Sequence, residues 1–171
     1  MSSRTLPGLI GPETGDAVFA ALRTVAERSF FAAAERCDEA AFDALAATVP
    51  AWLVSSVRFE EGESAGSMSC SLPDALAERL FHAFTGRDPS EAPPAWADVH
   101  DLVGEFANMV CGAWLSGSAG GRTFTLGQPG VVRARAAAAG GGLRLRVVID
   151  DAPIAIALEM DAGRRAAKSG A

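Results

Sequence analysis

Asp101, Glu105, Asn108 and Gly112 follow one another at helical spacing, and at about 100° per residue they fall within roughly 60° on one side of a helix. Leu102, Phe106, Met109, Val110 and Ala113 gather on another side of the same cylinder. A helix of this kind buries one face and still presents a carboxylate beside a carboxamide. A carboxamide donates and accepts hydrogen bonds at once. Gly104 lies within the run and costs about 1 kcal/mol of helix propensity relative to Ala, and Gly112 repeats that cost. Something has to approach the helix closely, either its own sheet or a partner.

The rest of the chain bounds what this stripe can belong to. With 171 residues, 49% hydrophobic and 21% charged, one domain with a sizeable core is expected, over residues 15–161, with tails at 1–14 and 162–171. No run of about 18 apolar residues is present, and residues 1–11 lack the basic-then-apolar order of a signal peptide, so a cytoplasmic protein is expected. A net charge of −6 argues against nucleic acid or an anionic membrane as the main partner. Arg164, Arg165 and Lys168 read as a solvated terminus. Cys37, Cys70 and Cys111 are odd in number and widely spaced in apolar surroundings, which suits small core residues better than disulfides or zinc. His100 stands beside Asp101, but no second His or Cys lies within helical reach, so no metal site is expected.

The elements that must position the stripe can be read by periodicity. Residues 15–47 are rich in Ala, with Val18, Leu22, Val25, Phe30 and Phe31 at helical intervals, and predict one long or two consecutive helices ending before Pro50. Residues 52–59 and 66–72 read as a hairpin around Glu60-Glu61-Gly62-Glu63-Ser64. A helix opens at Pro73-Asp74, carries Leu76, Leu80, Phe81 and Phe84 inward, and stops at Gly86. A Pro-rich surface linker over 87–94 follows. The helix of the polar stripe is expected to be capped by Asp98 and to run to about Leu115. Four strands complete the chain, over 123–127, 131–135, 143–150 and 154–160, close enough together to pair antiparallel. The fold class is therefore α+β, an antiparallel sheet packed with long helices. Val25–Phe30 can also be laid on Val103–Asn108, which matches Glu27 with Glu105 and Phe30 with Asn108 and leaves an internal pseudo-two-fold duplication as an open expectation.

Read as one pattern, Asp101-x3-Glu105-x2-Asn108 with Gly104, Met109, Gly112 and a following Pro129 resembles the signature of the CheC/CheX/FliY family of chemotaxis phosphatases. The order of elements from Trp52 to Met160 resembles that family too, and the single Glu-x2-Asn copy resembles its CheX branch. Two departures are visible: the interval from Asn108 to Pro129 is slightly short, and Ala113 stands where the family often has Asn or Asp.

The resemblance implies a phosphatase acting on the aspartyl phosphate of a CheY-like receiver domain. In that reading Asn108 orients the attacking water and Glu105 forms a salt bridge with the receiver's active-site Lys, while Asp101, Gly104 and Gly112 belong to the partner-binding face. The receiver would supply Mg²⁺ and basic residues that neutralise the loose transition state, and this chain would bind no cofactor. The expected partner is a phosphorylated CheY-like receiver, with a homodimer left open. A non-catalytic receiver-binding or flagellar-switch adaptor of the same fold is the alternative. A hydrolase of small molecules is a weaker one, because no nucleophile-base pair or metal cluster is legible.

Overall fold

A computed structural model describes residues 10–62, 64–118 and 122–161. Helix α1 spans Thr14–Phe30 and buries Val18, Leu22, Val25, Ala26 and Phe30. It ends because Phe31 turns left-handed at φ 54°, and the N–H groups of Phe31 and Ala32 both return to the Ala26 carbonyl. Of one long or two consecutive helices over residues 15–47, the structure has two, separated by a strand that the periodicity does not show. A short strand β1, Ala34–Arg36, intervenes, and helix α2, Glu39–Ala46, starts anew at Asp38, whose Oδ1 accepts from the Ala41 N–H at 2.8 Å. The Ala-rich composition hid β1, because three residues at a sheet edge carry no periodicity of their own.

The expected hairpin is present and longer than read. Strands β2, Trp52–Glu61, and β3, Ser64–Pro73, pair throughout, with Glu61 opposite Ser64. Helix α3, Asp74–Thr85, begins directly after Pro73 and ends where Gly86, at φ 69°, donates its N–H to the His82 carbonyl at 2.9 Å. Phe84, expected inward, is 47% exposed, yet its ring stacks on Phe30 at 5.3 Å between centroids.

Helix α4, Trp96–Ser118, runs longer than read at both ends. Asp98 is not its cap but lies in its first turn, where the N–H groups of Asp98 and Val99 bond to the Ala95 carbonyl. A carboxylate there still favours the positive end of the helix dipole.

After α4 come β4, Thr125–Leu126, β5, Gly130–Ala134, β6, Leu143–Ile149, and β7, Ala152–Met160. β4 is shorter than expected because Gly127 donates its N–H to the Arg58 carbonyl at 2.7 Å and Pro129 then offers no N–H to a ladder. The connection of β6 to β7 is tighter than expected. Asp150 and Asp151 take φ of 46° and 67°, the mirror-image turn that a two-residue hairpin needs, and β7 pairs from Ala152 onward.

All strand pairs are antiparallel, in the order β1-β6-β7-β3-β2-β4, with β5 also on β2. Exchanging β1 with β5, β6 with β2 and β7 with β3 reverses the path β1-β6-β7-β3-β2-β5 onto itself, so the topology has a two-fold pattern about the β3–β7 pair. The six-residue echo is not its register. Phe30 is 1% exposed, between the rings of Phe84 and Phe106, whereas Asn108 is half-buried beside a cleft. Matching the buried faces of α1 and α4 sets Thr14 against Val99, Val18 against Val103 and Phe30 against Leu115.

Helices α1, α3 and α4 cover one face of the sheet, enclosing the main core of Leu22, Phe59, Met68, Phe106, Trp114 and Ile156 among others. α2 covers a smaller cluster of Phe42, Trp52 and Val54 on the other face. Ile10 also packs on the main core. Residues 1–9 and 162–171, most of the two expected tails, lie outside the described residues. Among the described residues no helix is long and apolar enough to cross a membrane.

Two adjacent phenylalanines give opposite expectations. Phe30→Ala removes a ring buried against two others and is expected to cost about 3–5 kcal/mol. Phe31, 81% exposed and left-handed, buries little, and Phe31→Gly should stabilise by up to about 1 kcal/mol by relieving the backbone. Urea unfolding midpoints of the two variants against the parent chain check both signs.

Candidate functional site

The polar stripe is presented by the middle of α4, held to the sheet at two places. At its start, the His100 ring Nε2 lies 2.8 Å from the Val131 carbonyl oxygen of β5, and the Arg133 guanidinium sits over the Trp96 ring at 5.5 Å. His100 thus fastens helix to edge strand. One turn on, a Cβ added to Gly104 would meet Pro129 Cγ at 3.1 Å and Val131 Cγ2 at 3.6 Å. The close approach anticipated from the glycine is made by the chain's own β4–β5 connection, and Gly104 is buried under it rather than open to a partner. Gly112 differs: a Cβ there would reach Leu126 Cδ1 at an ordinary 3.7 Å, and the residue is half-buried.

With Pro129 seated on the helix, α4 and the β4–β5 connection form the two walls of an open cleft of about 330 Å³, lined by Glu105, Asn108 and Met109 on one side and Leu126, Gly127, Gln128 and Pro129 on the other. Glu105 and Asn108 are brought together as the spacing requires. Asp101 is exposed on the same face of α4 but does not line the cleft. Leu102, Phe106 and Val110 are buried as expected; Met109 is only half-buried because it turns to the cleft.

The two central residues differ in their surroundings. Glu105 is exposed, and among the described residues no basic side chain pairs with it, nor with Asp98 or Asp101. Some other acidic residues are paired, Asp16 with Arg36, Glu39 with Arg146, Asp74 with Arg133, and Asp161 with Arg58. The outer face of α4 is therefore a ridge of three uncompensated carboxylates. Asn108 is half-buried, and its Oδ1 is sealed and accepts no hydrogen bond among the described residues. An acceptor in this condition costs about 1–3 kcal/mol relative to one that is satisfied.

Reading the sequence alone passes over Met109 as a cleft residue and over Gln128 altogether. Gln128 adjoins Pro129, which the pattern does mark, but only the return of the β4–β5 connection to α4 brings it to the site. Elsewhere, burial raises the thiols of Cys70 and Cys111, the latter to about 12, so neither is a thiolate nucleophile. Both are buried and free, as expected of core residues, while Cys37 is half-buried. Among the described residues no group of three or more His, Cys, Asp or Glu is arranged to hold a metal ion.

Comparisons with known proteins agree with this architecture. The fold is similar to that of chemotaxis protein CheX from Vibrio vulnificus, at 18% identity and a TM-score of 0.66 over 87% of this chain and 97% of that one. It is also similar to a CheC-like superfamily protein from Shewanella sp. PV-4, at 16% identity and 0.62 over 89% and 99%. A third similar structure is the CheX of a CheX–CheY–BeF3–Mg²⁺ complex from Borrelia burgdorferi, at 12% identity and 0.53 over 85% and 96%. No curated protein matches the sequence. The family model described as chemotaxis phosphatase CheX matches residues 54–146, over half of the 171 and including the whole of α4. By that match the chain belongs to the chemotaxis phosphatase CheX family.

Proposed function

We propose that this protein hydrolyses the aspartyl phosphate of a CheY-like receiver domain, with Asn108 orienting the attacking water and Glu105 pairing with the receiver's active-site Lys. The observation that carries the reading is the Glu105–Asn108 pair at the mouth of an open cleft on α4, in a chain of the CheX family. The solved complex of a similar protein, the Borrelia burgdorferi CheX, with CheY, BeF3 and Mg²⁺ supports the choice of partner.

The chemistry asks little of this chain's own residues. Water oxygen bonds to phosphorus as the bond to the aspartyl oxygen breaks, leaving a carboxylate and inorganic phosphate, with the water's protons passing to phosphate and solvent. The leaving group is good, and in this reading the Mg²⁺ belongs to the receiver, so the missing contribution is placement of the water. Asn108 can supply it: its amide nitrogen donates to a phosphoryl oxygen, and its carbonyl accepts from the water. The terminal torsion of an Asn is broad, so Oδ1 can turn toward the water without movement of α4, which relieves the unsatisfied acceptor. Glu105, exposed and unpaired, meets a cation at little desolvation cost. Asp98 and Asp101 add to the negative field that steers a basic surface toward the cleft.

The first experiment phosphorylates receivers from the same genome with a small phosphodonor, removes the donor, and follows decay with this protein at a tenth of the receiver concentration in Mg²⁺. Several turnovers and an acceleration on the order of 10²-fold are expected, with Asn108→Ala removing most of it without unfolding the protein. Binding to a receiver without acceleration would establish the adaptor instead.

Glu27→Ala serves as a control and should keep full activity, since α1 contains no Asn or Gln to make a second site. Comparable loss from Glu27→Ala and Asn108→Ala would refute a single site.

Salt supplies an independent check. Rising ionic strength should raise KM more than it lowers kcat, and Asp101→Asn with Glu105→Gln should flatten that dependence. A dependence unchanged by the double substitution would remove the acidic ridge from docking.

A further inference from the structure

We propose that Gln128 is a further substrate-contacting residue of this site, its carboxamide donating a hydrogen bond to a phosphoryl oxygen from the cleft wall that faces Asn108. The inference rests on the reading above and extends it to a residue outside the Glu-x2-Asn pattern. Its first support is placement. Gln128 lines the same cleft as Glu105 and Asn108, but from the β4–β5 connection, so the two carboxamides stand on different walls.

The second support is how the backbone is held. Before Gln128, the Gly127 N–H is bonded to the Arg58 carbonyl at 2.7 Å, and a Cβ at Gly127 would lie 3.5 Å from Arg58 Cβ and O, so β2 passes directly beneath. After it, Pro129 packs onto Gly104 of α4. A residue pinned on both sides displays its side chain from a fixed base, which lowers the ordering cost of a contact.

The third support is what Gln128 does not do. It is exposed and makes no hydrogen bond within the described residues, so the fold does not employ its carboxamide. A neutral donor suits this place. It can face a phosphoryl dianion without the repulsion a carboxylate brings, and it complements Asn108, which must divide its two polar atoms between phosphate and water.

Three variants test the assignment in the receiver decay assay, with kcat and KM read separately and thermal melting as the folding control. Gln128→Ala should lower kcat about tenfold with KM within about twofold. Gln128→Glu keeps size and reach but turns the donor into an anion, and should lose more, on the order of 10²-fold in kcat. Gln128→Asn, shorter but still a donor, should fall between Gln128→Ala and the parent. A space-filling or loop-shaping role predicts the opposite order, with Gln128→Glu close to the parent. That order, parent-like kcat in all three variants, or a loss confined to KM would overturn the assignment while leaving the phosphatase reading intact. Absence of turnover by the parent protein on every receiver would sink that reading, and the Gln128 assignment with it.

Discussion

The contact of Pro129 with Gly104 is the constraint on which the site depends. Glycine in the middle of a 23-residue helix is unfavourable by about 1 kcal/mol, and a side chain there would press on the proline ring at 3.1 Å. With hydrogen in place of Cβ, the β4–β5 connection descends onto α4 and becomes a wall beside it. Several features then follow together: Asn108 is sheltered, Met109 turns to the cleft, and Gln128 is lifted into it. The neighbouring His100 link to the Val131 carbonyl holds the same helix and strand together one turn earlier, so the wall is anchored along its length rather than at a point.

What was legible in the sequence follows from the range of the forces involved. The polar stripe of α4, its apolar face, the β2–β3 hairpin and the stop of α3 at Gly86 are set by neighbours within a few residues, and periodicity or turn chemistry reveals them. β1 was not legible, because a three-residue edge strand is defined by its partner β6 and not by its own pattern. The same holds for the end of α1. Nothing in Phe30-Phe31 marks one ring for the core and the other for solvent; the left-handed turn at Phe31 decides it. Gln128 was missed for a related reason, since its relation to Asn108 exists only after β4 and β5 have paired with β2.

The two-fold pattern of the sheet explains why an echo between α1 and α4 was visible at all and why its register misled. Both helices lie on the same face of the sheet and both bury an apolar stripe, so any alignment that matches apolar residues finds some likeness. The functional stripe lies outside the buried face and need not repeat. α1 carries an Arg23–Glu27 pair on its surface, whereas the outer face of α4 carries uncompensated carboxylates. The likeness between the halves therefore belongs to packing, and the difference between them to the site.

In the proposed reading, exposure divides the work between the two central residues of α4. A carboxylate that guides a partner gains from lying in the open, because its field reaches outward and it sheds little water on pairing. A carboxamide that orients one water gains from shelter, because hydrogen bonds there compete less with bulk solvent and the geometry is better held. Glu105 and Asn108 are three residues apart on one helix, and periodicity alone would give them equal exposure. Glu105 is exposed and Asn108, next to the buried flank of Gly104 and Leu115, is half-buried, and both line the cleft that the Pro129 wall closes on one side. A single close approach, permitted by one glycine, sets a wall beside the polar stripe, and the proposed reading assigns docking to its exposed carboxylate and water placement to its half-buried carboxamide.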